Sequence, residues 1–214
     1  LYDDNEIREN LLPITFTRPM ADIRVGILTI RQKWELAFQG EYSYSTADYL
    51  SAKFPIKEVN TLEDYYIAGN VCPTEELVRC LDTLPHNTGI KYGDKLVAHR
   101  GKKCQDFILL EDMPLMINML PDIFMLNDDA LVADFKALTH GRYSQPVSPT
   151  CTIIGDPLFQ DGTPKIFLEP GATVEGAILN VSKGPIYVGK DAEIMEGSCV
   201  RGPLALCEHA YVNM

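Results

Sequence analysis

The sequence predicts an α/β domain over residues 1–148, built on a mixed, mostly parallel sheet, followed over residues 149–214 by the start of a left-handed parallel β-helix. Three observations predict it. Aliphatic residues recur at a strict interval of six near the C-terminal end. Strand-like and helix-like stretches alternate before residue 140. Gly141 to Pro149, with two prolines and two serines, reads as a linker between them.

The repeat is the firmest signal, and internal repeats decide a fold before any local reading does. Val188, Ile194, Val200, Leu206 and Val212 are all aliphatic and evenly spaced. Ala192, Ser198, Leu204 and Ala210 follow the first four, each by four positions. An earlier pair keeps the form, Leu168 to Thr173 and then Val174 to Leu179. The 14-residue step from Val174 to Val188 implies two hexapeptides plus two residues, inserted around Asn180 to Pro185. A period of six fits neither a 3.6-residue helix nor a plain alternating strand. It fits a chain that runs along a flat face, turns a corner and repeats, with the aliphatic residue inward and small residues at the corners. Met214 falls inside the repeat and Leu1 begins on a strand-like stretch, so a longer protein is expected, with further coils or a cap over the last one.

In the first 148 residues, Ile23, Ile27, Ile30, Trp34 and Phe38 form the stripe of an amphipathic helix, with Trp34 a packing residue. Residues 65–71 read as a strand entering a loop. Pro73-Thr74-Glu75-Glu76 opens a helix whose buried face is Leu77, Val78, Leu81 and Leu84. Residues 90–98 read as a hairpin turning at Gly93. Asn127-Asp128-Asp129 caps a further helix with Leu131, Val132, Phe135 and Leu138 inward.

Composition narrows the function. A formal net charge of −11 argues against nucleic acid and anionic membrane as main partners. No apolar run reaches the length of a membrane span, and no signal segment opens the chain. The six cysteines, at 72, 80, 104, 151, 199 and 207, include no C-x-x-C pair. They read as reduced thiols of a cytoplasmic protein.

The chemistry concentrates between Asp3 and Pro19. Asp3, Asp4, Arg8 and Arg18 lie at a strand end and in the stretch after it, where α/β sheets bind ligands. An arginine there can grip phosphate oxygens, and an aspartate can hold Mg²⁺ against a nucleotide. The same residues also suit turn and surface ion-pair roles.

Leu11-Leu-Pro-Ile-Thr-Phe-Thr-Arg18-Pro19 resembles the segment after the glycine-rich loop of the sugar-1-phosphate nucleotidyltransferase family. Gly69-Asn70-Val71-Cys72-Pro73 resembles that family's metal-binding N-G-D-x-P stretch. The run from Asp3 to Pro19, with Arg24-Val-Gly-Ile-Leu-Thr-Ile-Arg31 and the hexapeptides, is similar to one branch. That branch resembles the bifunctional N-acetylglucosamine-1-phosphate uridyltransferase/glucosamine-1-phosphate acetyltransferase. The resemblance implies a nucleoside triphosphate and a sugar-1-phosphate as substrates, Mg²⁺ as cofactor, and a place in nucleotide-sugar and cell-envelope precursor synthesis. It assigns Arg8 and Asp4 to catalysis, Arg18, Gly69, Asn70 and Arg201 to substrate binding, and Asp3 to the metal. For the coils it implies a homotrimer, acetyl-CoA as a possible acyl donor of the full-length protein, and a histidine base, for which His209 is the coil histidine.

The chain departs from the family pattern in three places. No glycine lies between Asp3 and Arg8, Met20 stands where a lysine follows the proline, and Asn70 replaces the metal-binding aspartate. The alternatives are therefore a catalytically reduced module that binds a nucleotide or sugar phosphate on a trimeric hexapeptide acyltransferase scaffold, and a protein keeping acyl transfer alone.

Overall fold

A computed structural model describes residues 1–57, 63–102 and 104–213, so Met214 lies outside the described residues. The chain divides into two compact units, Leu1–Asn127 and Asp128–Met214.

In chain order the first unit contains α1 (Asn5–Asn10), β1 (Arg24–Val25), β2 (Leu28–Thr29), α2 (Ile30–Ala37), β3 (Tyr65–Ile67), α3 (Glu75–Asp82), β4 (Thr88–Tyr92), β5 (Lys95–Arg100), β6 (Asp106–Leu109) and α4 (Leu120–Met125). Its main sheet has the order β3-β5-β4-β6. The β3/β5 and β4/β5 pairs are antiparallel, and only β4/β6 is parallel. The expected mostly parallel sheet is thus corrected to a mixed one. Its parallel character survives at the start of the chain, where Tyr2 bridges Ser45 on one side and Ala68 on the other. Three short segments, residues 1–3, 43–46 and 67–70, therefore run side by side in one direction.

The stripe from Ile23 to Phe38 is not one helix. Ile23 and Ile27 are buried, but in the β1/β2 hairpin, which turns at Gly26 with φ +76°. Only a glycine takes that angle without strain. The helix begins after Thr29, which forms a reciprocal capping box with Gln32. Trp34 is fully buried, as expected, and its Nε1 donates to Val71 O at 2.8 Å. The other helix and hairpin expectations hold in part: Val78, Val132 and Leu138, expected inward, are only half-buried, and Leu84 lies past the end of α3. Thr74 caps α3, and Leu77, Leu81 and Leu84 are fully buried. The residue 90–98 stretch lies in the β4/β5 hairpin with Gly93 at its turn. Asn127 opens α5 (Asn127–Thr139), yet its Oδ1 accepts from Gly26 N at 2.8 Å.

The second unit contains β7 (Thr152–Ile154), β8 (Ile166–Leu168), β9 (Thr173–Val174), β10 (Ile178–Asn180), β11 (Ile186–Val188), β12 (Glu193–Ile194), β13 (Cys199–Arg201), β14 (Leu204–Leu206) and β15 (Tyr211–Val212). They form three separate parallel sheets, β13-β10-β7, β14-β11-β8 and β15-β12-β9. Successive turns of the chain supply one strand to each, as at the start of a three-sided β-helix. Leu168, Val188 and Leu206 stack in register, as do Val174, Ile194 and Val212. Leu179 sits beside Val200. The 14-residue step divides unevenly: the Val174-to-Leu179 side is five residues, one short of six, and the Leu179-to-Val188 corner is nine, three over. Ile186, Val188, Leu179 and Val181 are fully buried at the centre of this core.

Phe167 and Tyr187 occupy the outward position between inward neighbours, yet both are buried. The 142–145 segment covers them. Arg142 lies over the Phe167 ring and donates from both terminal nitrogens to Glu169, at 2.9 and 2.6 Å. The Tyr187 hydroxyl donates to the same carboxylate at 2.8 Å. Burial alone would raise the Glu169 pKa, but the Arg142 fork and the Tyr187 hydroxyl outweigh it and hold the carboxyl low. Gln145 N donates to Leu168 O at 2.9 Å, completing the strap. All six cysteines are free thiols. No helix among the described residues is long and apolar enough to cross a membrane.

Candidate functional site

The three parallel segments place their carboxyl ends together. Tyr2-Asp3, Ser45-Thr46 and Gly69-Asn70 leave the sheet at one edge, joined by the loop at Met20. Gly69 eases the approach: a Cβ there would lie 3.1 Å from Tyr2 O, 3.2 Å from Asp3 Oδ1 and 3.3 Å from Ala21 N, tighter than ordinary contact. Three expected site residues, Asp3, Arg8 and Gly69, thus converge, with Asp4 and Asn70 next to them in the chain.

Asp3 is the centre of this cluster. Its side chain is 3% exposed. Oδ1 accepts from Met20 N at 3.0 Å, Oδ2 accepts from Thr46 Oγ1 at 2.6 Å, and Arg8 Nε lies 3.7 Å from Oδ2. Burial raises the Asp3 pKa, with the Thr46 and Met20 hydrogen bonds and Arg8 opposing it. Both oxygens are engaged and a guanidinium stands beside them. This arrangement does not fit Asp3 as a magnesium ligand; it fits a clamp that fixes the strand end against the 20–21 loop and Thr46.

Asp4 caps α1, with Oδ1 accepting from Ile7 N at 3.0 Å, and the residue is exposed. The stretch expected as loop is thus a short helix in place of a glycine-rich cradle, and one of its first N–H groups is taken by its own cap. The helix carries Arg8 back toward Asp3. Arg8 Nη2 donates to Thr15 O at 2.6 Å and to Tyr49 Oη at 2.5 Å, with the guanidinium 5.5 Å from the Tyr49 ring centre. Thr15 Oγ1 returns a bond to Arg8 O at 2.7 Å. Arg18 is exposed and makes no ion pair with any described residue. Met20 is fully buried and serves the site only through its backbone N–H.

Asn70 is fully buried, and its Nδ2 donates to Asn118 Oδ1 at 3.2 Å while its Oδ1 has no partner among the described residues. Thr46, Thr15, Tyr49 and Asn118 are the partners that sequence reading missed. Thr46 had a usable signal, a hydroxyl residue directly after the Ser43–Ser45 segment. The others depend on tertiary approach alone.

No group of three or more His, Cys, Asp or Glu side chains among the described residues is arranged to hold a metal ion. A cavity of about 790 Å³ lies at the opposite, amino ends of the parallel segments, beside Leu1, Ser43 and Tyr65. Glu35, Glu41, Glu63 and Asp64 line it against Lys57, a balance of charge that disfavours phosphate.

In the second unit, Arg201 is exposed at the end of β13, in register with Asn180 of β10. His209 sits at a corner with φ +56°, its Nδ1 3.9 Å from Asp191 Oδ2 and its Nε2 3.5 Å from Glu208.

No curated protein matches the chain. A family model described as sugar nucleotidyl transferase matches residues 1–143. That span takes in the parallel segments, α1 and the whole Asp3 cluster, and the chain belongs to the sugar nucleotidyl transferase family.

Proposed function

We propose that the chain transfers a nucleotidyl group from a nucleoside triphosphate to a sugar-1-phosphate and releases pyrophosphate, with both substrates over the carboxyl ends of the 1–3, 43–46 and 67–70 segments. The observation that carries this reading is the coincidence of the family match with the convergence of Asp3, Arg8 and Gly69 at that edge. In this reading a sugar-phosphate oxygen attacks the α-phosphorus and the bond to pyrophosphate breaks. Arg18, exposed and unpaired among the described residues, is the side chain suited to the phosphates. Arg8 supports the site from behind, held by Thr15 and Tyr49. Asp4 is the carboxylate that suits Mg²⁺, because its Oδ2 makes no hydrogen bond to a described residue. The ion, when bound, supplies charge neutralisation at the phosphates.

Pyrophosphate release tests the proposal, with Mg²⁺, a panel of nucleoside triphosphates and a panel of hexose- and hexosamine-1-phosphates. Turnover that falls at least tenfold in Arg18→Ala supports it; no release from any pair of substrates overturns it.

A second reading, a binding module without turnover, is favoured by one observation: the Asp3 carboxylate is fully engaged by Met20, Thr46 and Arg8. It requires that a nucleotide or sugar phosphate raise the melting temperature while no pyrophosphate appears. For the second unit we propose left-handed coils, homotrimer formation and acyl transfer from acetyl-CoA, supported by the hexapeptide register. Arg201 would take the substrate phosphate and His209 would act as base. Thiol release from acetyl-CoA in the presence of an amino sugar phosphate tests that part. The cytoplasmic location and the role in envelope-precursor synthesis belong to the same proposal, as does the absence of nucleic-acid and membrane partners.

A further inference from the structure

A tyrosine near a protein surface usually buries its ring and leaves the hydroxyl to water. Tyr49 does the reverse. Its hydroxyl accepts from Arg8 Nη2 at 2.5 Å, and the Arg8 side chain is only 12% exposed. The residue as a whole is 62% exposed. With the hydroxyl bound to a largely buried cation, that exposure falls on the ring.

The ring is also held in place. Tyr49 sits on a short 3₁₀ turn, Asp48–Leu50, whose Leu50 is buried. Ser51 ties off the turn, donating to Asp48 O from its N–H at 3.1 Å and from Oγ at 2.6 Å. Anchored to this turn at one end and to Arg8 at the other, the ring has little freedom left to lose when a ligand covers it. Its place is the strand-end edge. The Arg8 guanidinium that binds it stands 3.7 Å from Asp3 Oδ2, and Thr46, three residues before Tyr49, donates to the same carboxylate oxygen. The same Arg8 nitrogen donates to Thr15 O, and the next residue, Phe16, is a second exposed aromatic at 57%.

We propose that the Tyr49 ring is the platform on which the nucleobase of the nucleoside triphosphate stacks. The inference rests on the proposed nucleotidyl transfer and adds how that site holds its nucleotide. Every base presents a flat π-face, so a rigid exposed ring suits it whatever its hydrogen-bonding edge. The Arg8 guanidinium, 5.5 Å from the ring centre and bonded to its hydroxyl, draws electron density from the ring. A depleted ring favours an electron-rich base over the C–H face of a sugar, which prefers an electron-rich partner. Tyr49 therefore supplies affinity for nucleotides and little choice among bases.

The test uses the whole chain and binding alone. Tyr49→Phe and Tyr49→Leu both lose the hydroxyl and its bond to Arg8, and only Tyr49→Leu loses the ring. Their difference therefore isolates stacking, which is worth roughly 5- to 150-fold in affinity per base. Isothermal titration with ATP, UTP and inorganic triphosphate is expected to give nucleotide Kd values at least fivefold higher for Tyr49→Leu than for Tyr49→Phe, and equal Kd values for inorganic triphosphate. Tyr49→Trp gives a direct signal, because the only native tryptophan, Trp34, is fully buried. Its added fluorescence is expected to be quenched by ATP and UTP and not by inorganic triphosphate, with wild type as the control. Far-UV circular dichroism verifies that each variant is folded. Nucleotide binding that is equal in Tyr49→Phe and Tyr49→Leu, or no quenching in Tyr49→Trp, would overturn the platform and leave nucleotidyl transfer standing. Wild type that binds neither nucleotide would overturn both.

Discussion

Removing the Asp3 carboxylate separates its role as a clamp from any role in chemistry. In Asp3→Ala the buried Met20 N–H loses its acceptor, and Thr46 Oγ1 loses a 2.6 Å bond. Met20 is fully buried, so water does not replace the acceptor without rearrangement. An orphaned buried donor costs about 1–3 kcal/mol, and a hydrogen bond to a charged group contributes about 1.5–3 kcal/mol. Relief from burying a carboxylate offsets part of this, so the net loss is expected at about 2–3 kcal/mol. Asp3→Asn behaves differently. Its amide oxygen accepts from Met20, its amide nitrogen donates to Thr46, and only the 3.7 Å contact with Arg8 is lost. It is expected within about 1 kcal/mol of wild type. Urea unfolding followed by fluorescence isolates the effect, because the single tryptophan, Trp34, is fully buried in the first unit. The pH dependence has a definite sign. The folded pKa of Asp3 lies above its ordinary 3.8, so the native state binds the proton more tightly than the unfolded chain. The ionised carboxylate therefore costs stability at neutral pH, and that cost vanishes as pH falls through the raised pKa. The difference between wild type and Asp3→Asn should narrow or reverse in wild type's favour over that window. Equal stability of Asp3→Ala and wild type, or equal loss in both variants, would refute the clamp.

In the second unit the Glu169 pKa is held low, so its contribution is present above the ordinary carboxylate range and lost as pH falls through the depressed folded value. Calorimetry between neutral and acid pH should show a shallower acid loss in Glu169→Gln than in wild type. Gly202 has no room for a side chain, because its Cβ would overlap Gly184 O and lie 2.7 Å from Pro185 O on the preceding coil. Both neighbours are backbone, so Gly202→Ala should cost about 1–3 kcal/mol or more, read as a lowered calorimetric midpoint of the coils. Leu179→Ala, at a fully buried coil position, should cost about 2–5 kcal/mol in the same assay. Thr29→Ala removes the capping box of α2 and should lower first-unit stability by about 1 kcal/mol, read by Trp34 fluorescence.

The coils were legible because each turn repeats one steric demand, an aliphatic residue inward at a fixed interval. Val188, Ile194 and Val200 meet it and are buried. The uneven division of the Val174-to-Val188 step was not legible, since a corner tolerates three extra residues at Leu179–Val188 as readily as two. Phe167 and Tyr187 break the outward-polar rule because a segment 20 or more residues earlier covers them, and no local pattern records that. The stripe from Ile23 to Phe38 matched a helix because a hairpin followed by a helix buries the same residues. Gly26 and the Thr29-x-x-Gln32 box were the signals that divide it. The mixed sheet follows from the β4/β5 hairpin at Gly93, which is antiparallel by necessity, and from β3, which also pairs antiparallel with β5.

At the site, residue types were legible and their employment was not. A glycine-rich loop leaves backbone N–H groups pointing at a ligand, whereas the glycine-free stretch after Asp3 enters α1, whose Ile7 N–H is taken by Asp4. Once that helix forms, it returns Arg8 to Asp3, and the two residues expected to face the substrate and metal face each other and the protein instead. A clamp built from side chains and the Met20 N–H holds the strand end. Under the proposed function, phosphate recognition at this edge would rest on exposed side chains, above all Arg18, whose guanidinium is not committed to a described partner. Binding that depends on one or two exposed cations is weakened by salt, because screening acts on exposed charges first. A backbone cradle, enclosed by the ligand it holds, would be less sensitive. Salt dependence of nucleotide binding therefore distinguishes the two designs without requiring turnover.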